Sequence, residues 1–205
     1  MKLTDAQKKT LLFLAMVLYF SVGYLLVNYI SSKMQSGSLA TVWDASLPFT
    51  PIFIVIYLIG YPLPALPHFI IKDLKTYKRA VMAYFFILTV SFLVFLVFPI
   101  HVMRPHPNAM SDFYATVFGW LQTIDGPYNA FPSLHVSMAT IACLACFDWH
   151  KRHAWLLVWP VLIAVSAVLV KQHYIWDVIG GLSLGVAAYF IFLNPKTRLV
   201  HSRHD

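Results

Sequence analysis

Glutamate is absent from this chain of 205 residues, and its eight acidic side chains are all aspartates, scattered singly. Enzymes that move phosphoryl groups with magnesium hold the ion on gathered carboxylates. No such cluster stands in this sequence, so a metal-free route is favoured for any chemistry of that type. Cysteine is nearly absent too. Cys143 and Cys146 sit three apart inside one apolar run. A C-x-x-C pair can serve redox or zinc chemistry, but within a run this greasy the pair reads as small packing residues. Charge is scarce, at 11% of residues against 60% hydrophobic, with a mean hydropathy of +0.70. That composition excludes an ordinary soluble domain. Strand-like alternation is missing, which excludes a membrane β-barrel. Internal repeats and low-complexity segments are also lacking.

What remains is a series of long apolar runs. A bilayer takes about 20 apolar residues to cross. Six stretches qualify: 10–30, 49–71, 80–101, 133–149, 154–170 and 177–194, the fourth being short. The expectation is an all-α polytopic membrane protein, a single six-helix domain over 1–205. The first run is too long for the core of a cleaved signal, and no small-residue cleavage site follows it, so it reads as a true span. Prolines and glycines inside the runs are tolerable where neighbouring helices satisfy the freed backbone.

Orientation follows from the basic residues. Six spans put both termini on one side. That side carries Lys2, Lys8, Lys9, Lys72, Lys75, Lys78, Arg79, Lys151, Arg152, Lys196, Arg198 and Arg203; the other carries only Lys33, Arg104 and Lys171. The asymmetry predicts cytoplasmic termini in the inner (plasma) membrane. The formal charge of +7 is then topology plus attraction to anionic lipid heads, and calls for no nucleic-acid partner.

The outer side holds loop 31–48, segment 102–132 and the turn 171–176. In the second of these, Phe113, Val117, Trp120, Leu121 and Ile124 recur at helical spacing until Asp125-Gly126-Pro127 ends the pattern. A short helix between spans three and four is predicted, either in the outer interface with Trp120 at headgroup level or packed on the spans as a lid.

Three short stretches on this side carry chemistry. In HYIWD, His173 and Asp177 are four apart and share a helix face. A carboxylate beside an imidazole fixes its tautomer and stabilises its charged or modified form, which suits a base or a nucleophile. The plainer reading is an aspartate that caps the start of a helix. In PSLH, Ser133 and the first amides of a helix could meet an anion, and His135 could give a proton to a leaving oxygen; taken alone, capping is the better reading. In HVMRPHP, Arg104 offers a planar fork for phosphate oxygens, although a lone outer arginine is usually an anchor. Lys171 adds a cation two residues before His173. Jointly, a nucleophile, an acid and anion donors at span ends suit phosphoryl transfer, which mainly needs positioning and charge neutralisation.

These stretches resemble the three signatures of the type 2 phosphatidic acid phosphatase superfamily, whose relatives include the vanadium haloperoxidases: Arg104-Pro105, then PSLH at 132–135, then His173 to Asp177. The resemblance covers residues 97–181. It implies that His173 is the phosphoryl-accepting nucleophile, Asp177 its orienter and His135 the acid and base, with Arg104 and Ser133 on the phosphate, no metal and no cofactor. Three positions depart from the pattern. Val97 stands where the first signature has lysine, Leu134 where the second has glycine, and Ala167 where the third has arginine. Lys171, one helical turn beyond Ala167, is the candidate replacement. FPSLH and QHYIWD look like the phosphotransferase branch that includes inositol phosphorylceramide synthases.

The leading expectation is a lipid phosphatase acting on a phosphate monoester or pyrophosphate at the outer (periplasmic or extracellular) face. Its substrate would be a phospholipid or an isoprenoid or sphingolipid phosphate. The chain is short and shows no second polar pocket, which tilts the balance to water over an alcohol as acceptor. A lipid phosphotransferase is the alternative. A small transporter would carry its ionisable groups at mid-span, and an inactive lipid-binding protein would explain Val97 and Ala167.

Overall fold

The computed structural model describes residues 3–107 and 110–194. Four of the basic residues assigned to the cytoplasmic side, Lys2, Lys196, Arg198 and Arg203, lie outside them. The described residues form α1 (Asp5–Ser31), α2 (Val42–Ser46), α3 (Ile54–Ile59), α4 (Leu66–Ile70), α5 (Leu74–Val97), α6 (Asp112–Ile124), α7 (Leu134–Trp149), α8 (Val158–Leu169) and α9 (Ile175–Phe192). Among them there is no strand, only two isolated bridges that tie Gly37, Ile100 and Asn129 together. The protein is an all-α polytopic membrane protein.

Five stretches are long and apolar enough to cross a membrane: Asp5–Ser31, Pro51–Ile70, Leu74–Val97, Lys151–Leu169 and Ile175–Phe192. The expected fourth span, α7, has 16 residues and falls short of the roughly 20 that a bilayer takes. Its place explains this. α7 is the central helix, buried nearly all round, and a helix that is hydrophobic on every face belongs inside. One side of it packs Leu134, Met138, Ile141 and Ala142 with Tyr84, Leu88, Phe95 and Ala188 of α5 and α9. The other packs Val136 and Ala139 with Ile54, Tyr57, Ile163 and Ala167. Its neighbours, not lipid, surround it.

Small residues bring the helices close. A Cβ at Gly181 would lie 2.6 Å from the Ser133 carbonyl, and one at Gly185 would lie 2.7 Å from Thr140 Cβ. The G-x-x-x-G of α9 is therefore spent on α7 of the same chain. Cys143 and Cys146 are free and buried, as packing residues should be. Helix α5 starts on Asp73, whose carboxylate accepts the Thr76 backbone N–H at 2.6 Å. That hydrogen bond holds the Asp73 carboxyl below its ordinary pKa.

The second span is not one helix. It opens with a 3-10 turn at Pro51–Phe53, and Gly60, Pro62, Pro64 and Pro67 break the rest into α3, a second 3-10 turn and α4, because proline removes a donor and blocks the preceding turn. Helix α6 forms as predicted, but its buried face is turned. Leu121 of the expected stripe is fully buried against the segment 49–57 and Val117 packs beside it, but Phe118 joins them there, whereas Phe113, Trp120 and Ile124 of the stripe are exposed. The Phe49–Phe118 ring pair at 5.5 Å fixes this rotation. Thus α6 packs on the spans, and Trp120 is left on its free side.

Candidate active site

His173, Asp177, His135 and Arg104 come from three separate segments and meet at one end of the bundle. The turn after α8 does the first part of this. Val170 caps α8, and Lys171 takes φ 55°, the left-handed conformation that closes helices but that side chains resist. The chain reverses there, and the Ala167 carbonyl accepts the N–H groups of both Gln172 (3.0 Å) and His173 (3.1 Å). His173 is thereby set down at the head of α9, 7% exposed. Its Nδ1 lies 3.6 Å from Asp177 Oδ2. That same oxygen accepts the Tyr174 N–H at 2.8 Å, so Asp177 both caps α9 and faces the imidazole. Asp177 Oδ1 and His173 Nδ1 are buried without a hydrogen-bond partner.

His135 is positioned by the broken second span. In a continuous helix the Tyr57 carbonyl would be taken by Tyr61; here Gly60 N donates to it at 3.0 Å. Its second lone pair is open, and His135 Nε2 takes it at 2.6 Å. A carbonyl can only accept, so Nε2 carries the proton and Nδ1 is left as the acceptor. The ring stacks on Tyr57 (4.1 Å between centroids, 4°) and meets the edge of Tyr61 at 4.5 Å. Gly60 makes room: a Cβ there would lie 2.1 Å from His135 Nε2.

Arg104 is held by a partner that the motifs did not contain. Its Nη1 donates to the Asp125 carbonyl, and its Nη2 lies 3.5 Å from Asp125 Oδ2 and 3.4 Å from the Gly126 carbonyl. The Tyr24 hydroxyl from α1 donates to the same carboxylate, with the Tyr57 hydroxyl at 3.5 Å. Arg104 Nε is buried without a partner, as is the Asn129 amide nearby.

Two sequence-predicted phosphate ligands are already engaged by backbone groups. Ser133 is fully buried, lines neither of the two cavities at this end of the bundle, and accepts the Val136 N–H at 3.3 Å as the cap of α7. Lys171 donates to the carbonyls of Asp44 and Leu47, both at 2.8 Å, and so pins the 44–47 loop. One of its three N–H groups is left over. Val97, at 83% exposed, and Ala167, fully buried, explain the departures from the pattern: the first faces away, and the second has no room for a long side chain.

The two cavities meet at these residues. The inner one, about 500 Å³, has a polar end made by Arg104, Asp125, Asn129, His135 and His173. It continues between α1 and the second span past Tyr24, Phe20, Val17, Met16 and Phe13. Eleven residues of α1 separate Tyr24 from Phe13, or about 17 Å of helix. The outer cavity, about 450 Å³, is lined by Thr41, Asp44, Lys171, Tyr174 and a set of apolar side chains. Arg104 and His173 line both. Among the described residues no group of three His, Cys or Asp side chains could hold a metal ion.

A family model described as the PAP2 superfamily matches residues 9–191. The chain belongs to the PAP2 superfamily. This is the type 2 phosphatidic acid phosphatase superfamily that the three signatures resembled, and membership places the protein among phosphatase- and phosphotransferase-type lipid enzymes. The match to the PAP2 superfamily reaches well before residue 97 and takes in α1 and the second span, the two walls of the inner cavity. No curated protein and no solved structure matches the chain significantly.

Proposed function

We propose that the protein cleaves the phosphate ester of a membrane lipid at the outer face, by covalent catalysis on His173. Nε2 of His173 attacks phosphorus, and the bond from phosphorus to the lipid oxygen breaks. That oxygen takes the Nδ1 proton of His135, which enters the step as the imidazolium with Nε2–H still on the Tyr57 carbonyl, and leaves as the lipid alcohol. Asp177 holds Nδ1–H of the nucleophile and stabilises the positive charge that the ring gains. Arg104 holds the equatorial phosphate oxygens through the donors that Asp125 leaves free. An acceptor hydroxyl then gives its proton to His135, its oxygen attacks phosphorus, and the P–N bond breaks. Water as acceptor makes the enzyme a phosphatase, which is the leading reading.

The observation that carries this is the continuity of the inner cavity. One end holds two histidines and an arginine; the other is an apolar trough open along α1. That shape suits a molecule with a phosphate at one end and hydrocarbon at the other. A lipid alcohol as acceptor, giving a phosphotransferase of the inositol phosphorylceramide synthase kind, is the second reading. It is favoured by the outer cavity, a second polar pocket beside His173.

The test is release of lipid alcohol from a phospholipid panel by purified protein, with and without added alcohol acceptors. Wild type should turn over at least one lipid, in EDTA as well as without it, and His173→Ala should not. Undiminished turnover by His173→Ala, or strict dependence on added magnesium or zinc, would sink the scheme.

A further inference from the structure

We infer that Asn129 is a phosphate ligand: its side-chain amide donates to a non-bridging oxygen of the substrate's phosphate, at the polar end of the inner cavity that Arg104 also lines. This rests on the reading of that end as the place where phosphorus binds. It adds a residue that none of the three signatures contains.

The backbone places Asn129. Segment 127–130 runs alongside 100–102: the Pro127 carbonyl accepts the Val102 N–H at 3.0 Å, and the Ile100 carbonyl accepts the Ala130 N–H at 3.3 Å. Asn129 bridges Ile100 in the same pairing. Ile100, Val102 and Ala130 are buried, so the stretch is held in the interior and Asn129 cannot swing out to water. It is 6% exposed, and it lines the inner cavity with Arg104, His135 and His173.

The second observation is that its amide is unused. Nδ2 and Oδ1 are both buried without a hydrogen-bond partner among the described residues. Whichever way the amide lies, its two N–H donors are left over. A buried polar group with no partner costs the fold stability. Two other polar side chains at this end are spent on the backbone: the Ser133 hydroxyl caps α7, and the Lys171 amine ties the 44–47 loop. Asn129 does neither. Arg104 Nε–H is left over in the same way, while Nη1 and Nη2 face Asp125 and Gly126. The cavity thus holds unpaired donors of two kinds, one neutral and one charged, and a phosphate oxygen accepts from both.

This also fits what the chain lacks. Arg104 is the one lysine or arginine lining the inner cavity, and Val97 and Ala167 stand where the signatures have cations. An amide supplies N–H donors without a charge, and so restores part of that grip.

The test needs no turnover. Purified full-length protein is titrated with inorganic phosphate, and the half-saturating concentration is read from the rise in melting temperature. Asn129→Leu should raise that concentration on the order of tenfold to a hundredfold, the loss of one hydrogen bond to a charged group. Its melting temperature without phosphate should equal or exceed that of wild type, because an unpaired buried amide has been replaced by an apolar group of similar size. Asn129→Asp keeps the shape but offers the anion a carboxylate in place of donors, and should weaken phosphate further. Unchanged half-saturation in both variants would overturn the inference. A phosphate-free melting temperature that falls by several degrees in both would give the amide to the fold instead. No response of wild type to phosphate, or a response that Arg104→Ala leaves intact, would place the anion elsewhere and overturn the phosphate site together with the inference. The nucleophile is tested apart from this: lipid turnover surviving in His173→Ala would remove His173 from its role and leave the phosphate titration standing.

Discussion

At the scale of single residues, the two histidines are distinguished by what holds them. His173 faces a carboxylate at 3.6 Å; His135 gives its Nε2 proton to a backbone carbonyl. A carboxylate supports a ring that becomes cationic, whereas a carbonyl only fixes the tautomer and frees the other nitrogen for proton transfer. His135→Ala should therefore slow turnover of a phospholipid far more than that of p-nitrophenyl phosphate, whose leaving group needs little protonation. An equal loss on both substrates would remove His135 from the acid role. Gly60→Ala tests the same ring from its neighbour. A Cβ 2.1 Å from Nε2 must push the imidazole off the Tyr57 carbonyl. The expected loss in kcat is on the order of tenfold to a hundredfold, with little change in melting temperature. A fully active Gly60→Ala would show that this contact does not position the ring.

Residues were legible in sequence to the degree that their chemistry was local. The pair His173 and Asp177 declared itself by spacing, and Arg104 and His135 by their place at span ends. Ser133 and Lys171 carried the right groups, but the sequence could not say that a helix cap and a loop tether would use them first. Asp125, Tyr24, Tyr57 and Asn129 were missed altogether. Tyr24 and Asp125 are 101 residues apart, and Asp125 looked like an ordinary helix stop. The one available signal was the run GYPLPALP at 60–67, a broken span, since freed carbonyls in a membrane must find a partner.

At the scale of elements, α1 is the part with a job beyond packing. It packs chiefly on α5 and exposes most of its length, with Met16, Val27 and Ser31 its buried residues. Its other face borders the inner cavity. Ser21 lines that cavity, so Ser21→Trp should obstruct the trough. Turnover of long-chain phospholipids should fall, and hydrolysis of p-nitrophenyl phosphate should hold. Equal effects on both would mean that the trough is not where the hydrocarbon lies. Helix α5 offers a test of stability alone. Asp73→Ala should destabilise by roughly 0.5–2 kcal/mol, as for other N-caps. The sign with pH is fixed. The folded pKa of Asp73 is lowered, so its contribution is present above the ordinary aspartate pKa and fades as pH falls through the lowered value. The difference in melting temperature between wild type and Asp73→Ala should shrink on acidification. A gap that widened in acid would contradict the cap.

At the scale of the whole molecule, the apolar runs predicted the helical bundle and its long members. They could not show that α7 would be enclosed, because a helix walled by protein and one walled by lipid use the same residues. Nor could they show α6 turned to bury Phe118, since that face is chosen by Phe49, over sixty residues earlier. Sidedness rests on the basic residues. Cysteines introduced at Ser111 and Thr76 should differ in intact cells, with only Ser111→Cys labelled by an impermeant thiol reagent. Labelling of Thr76→Cys alone would invert the orientation.

The central claim is that His173 takes phosphorus from a lipid. The direct measurement is to quench the protein during turnover and map the trapped adduct by mass spectrometry. A phosphoryl group that is acid-labile and base-stable should be found on His173 and be missing from His173→Ala. Its discovery on His135, or undiminished labelling of His173→Ala, would contradict the account.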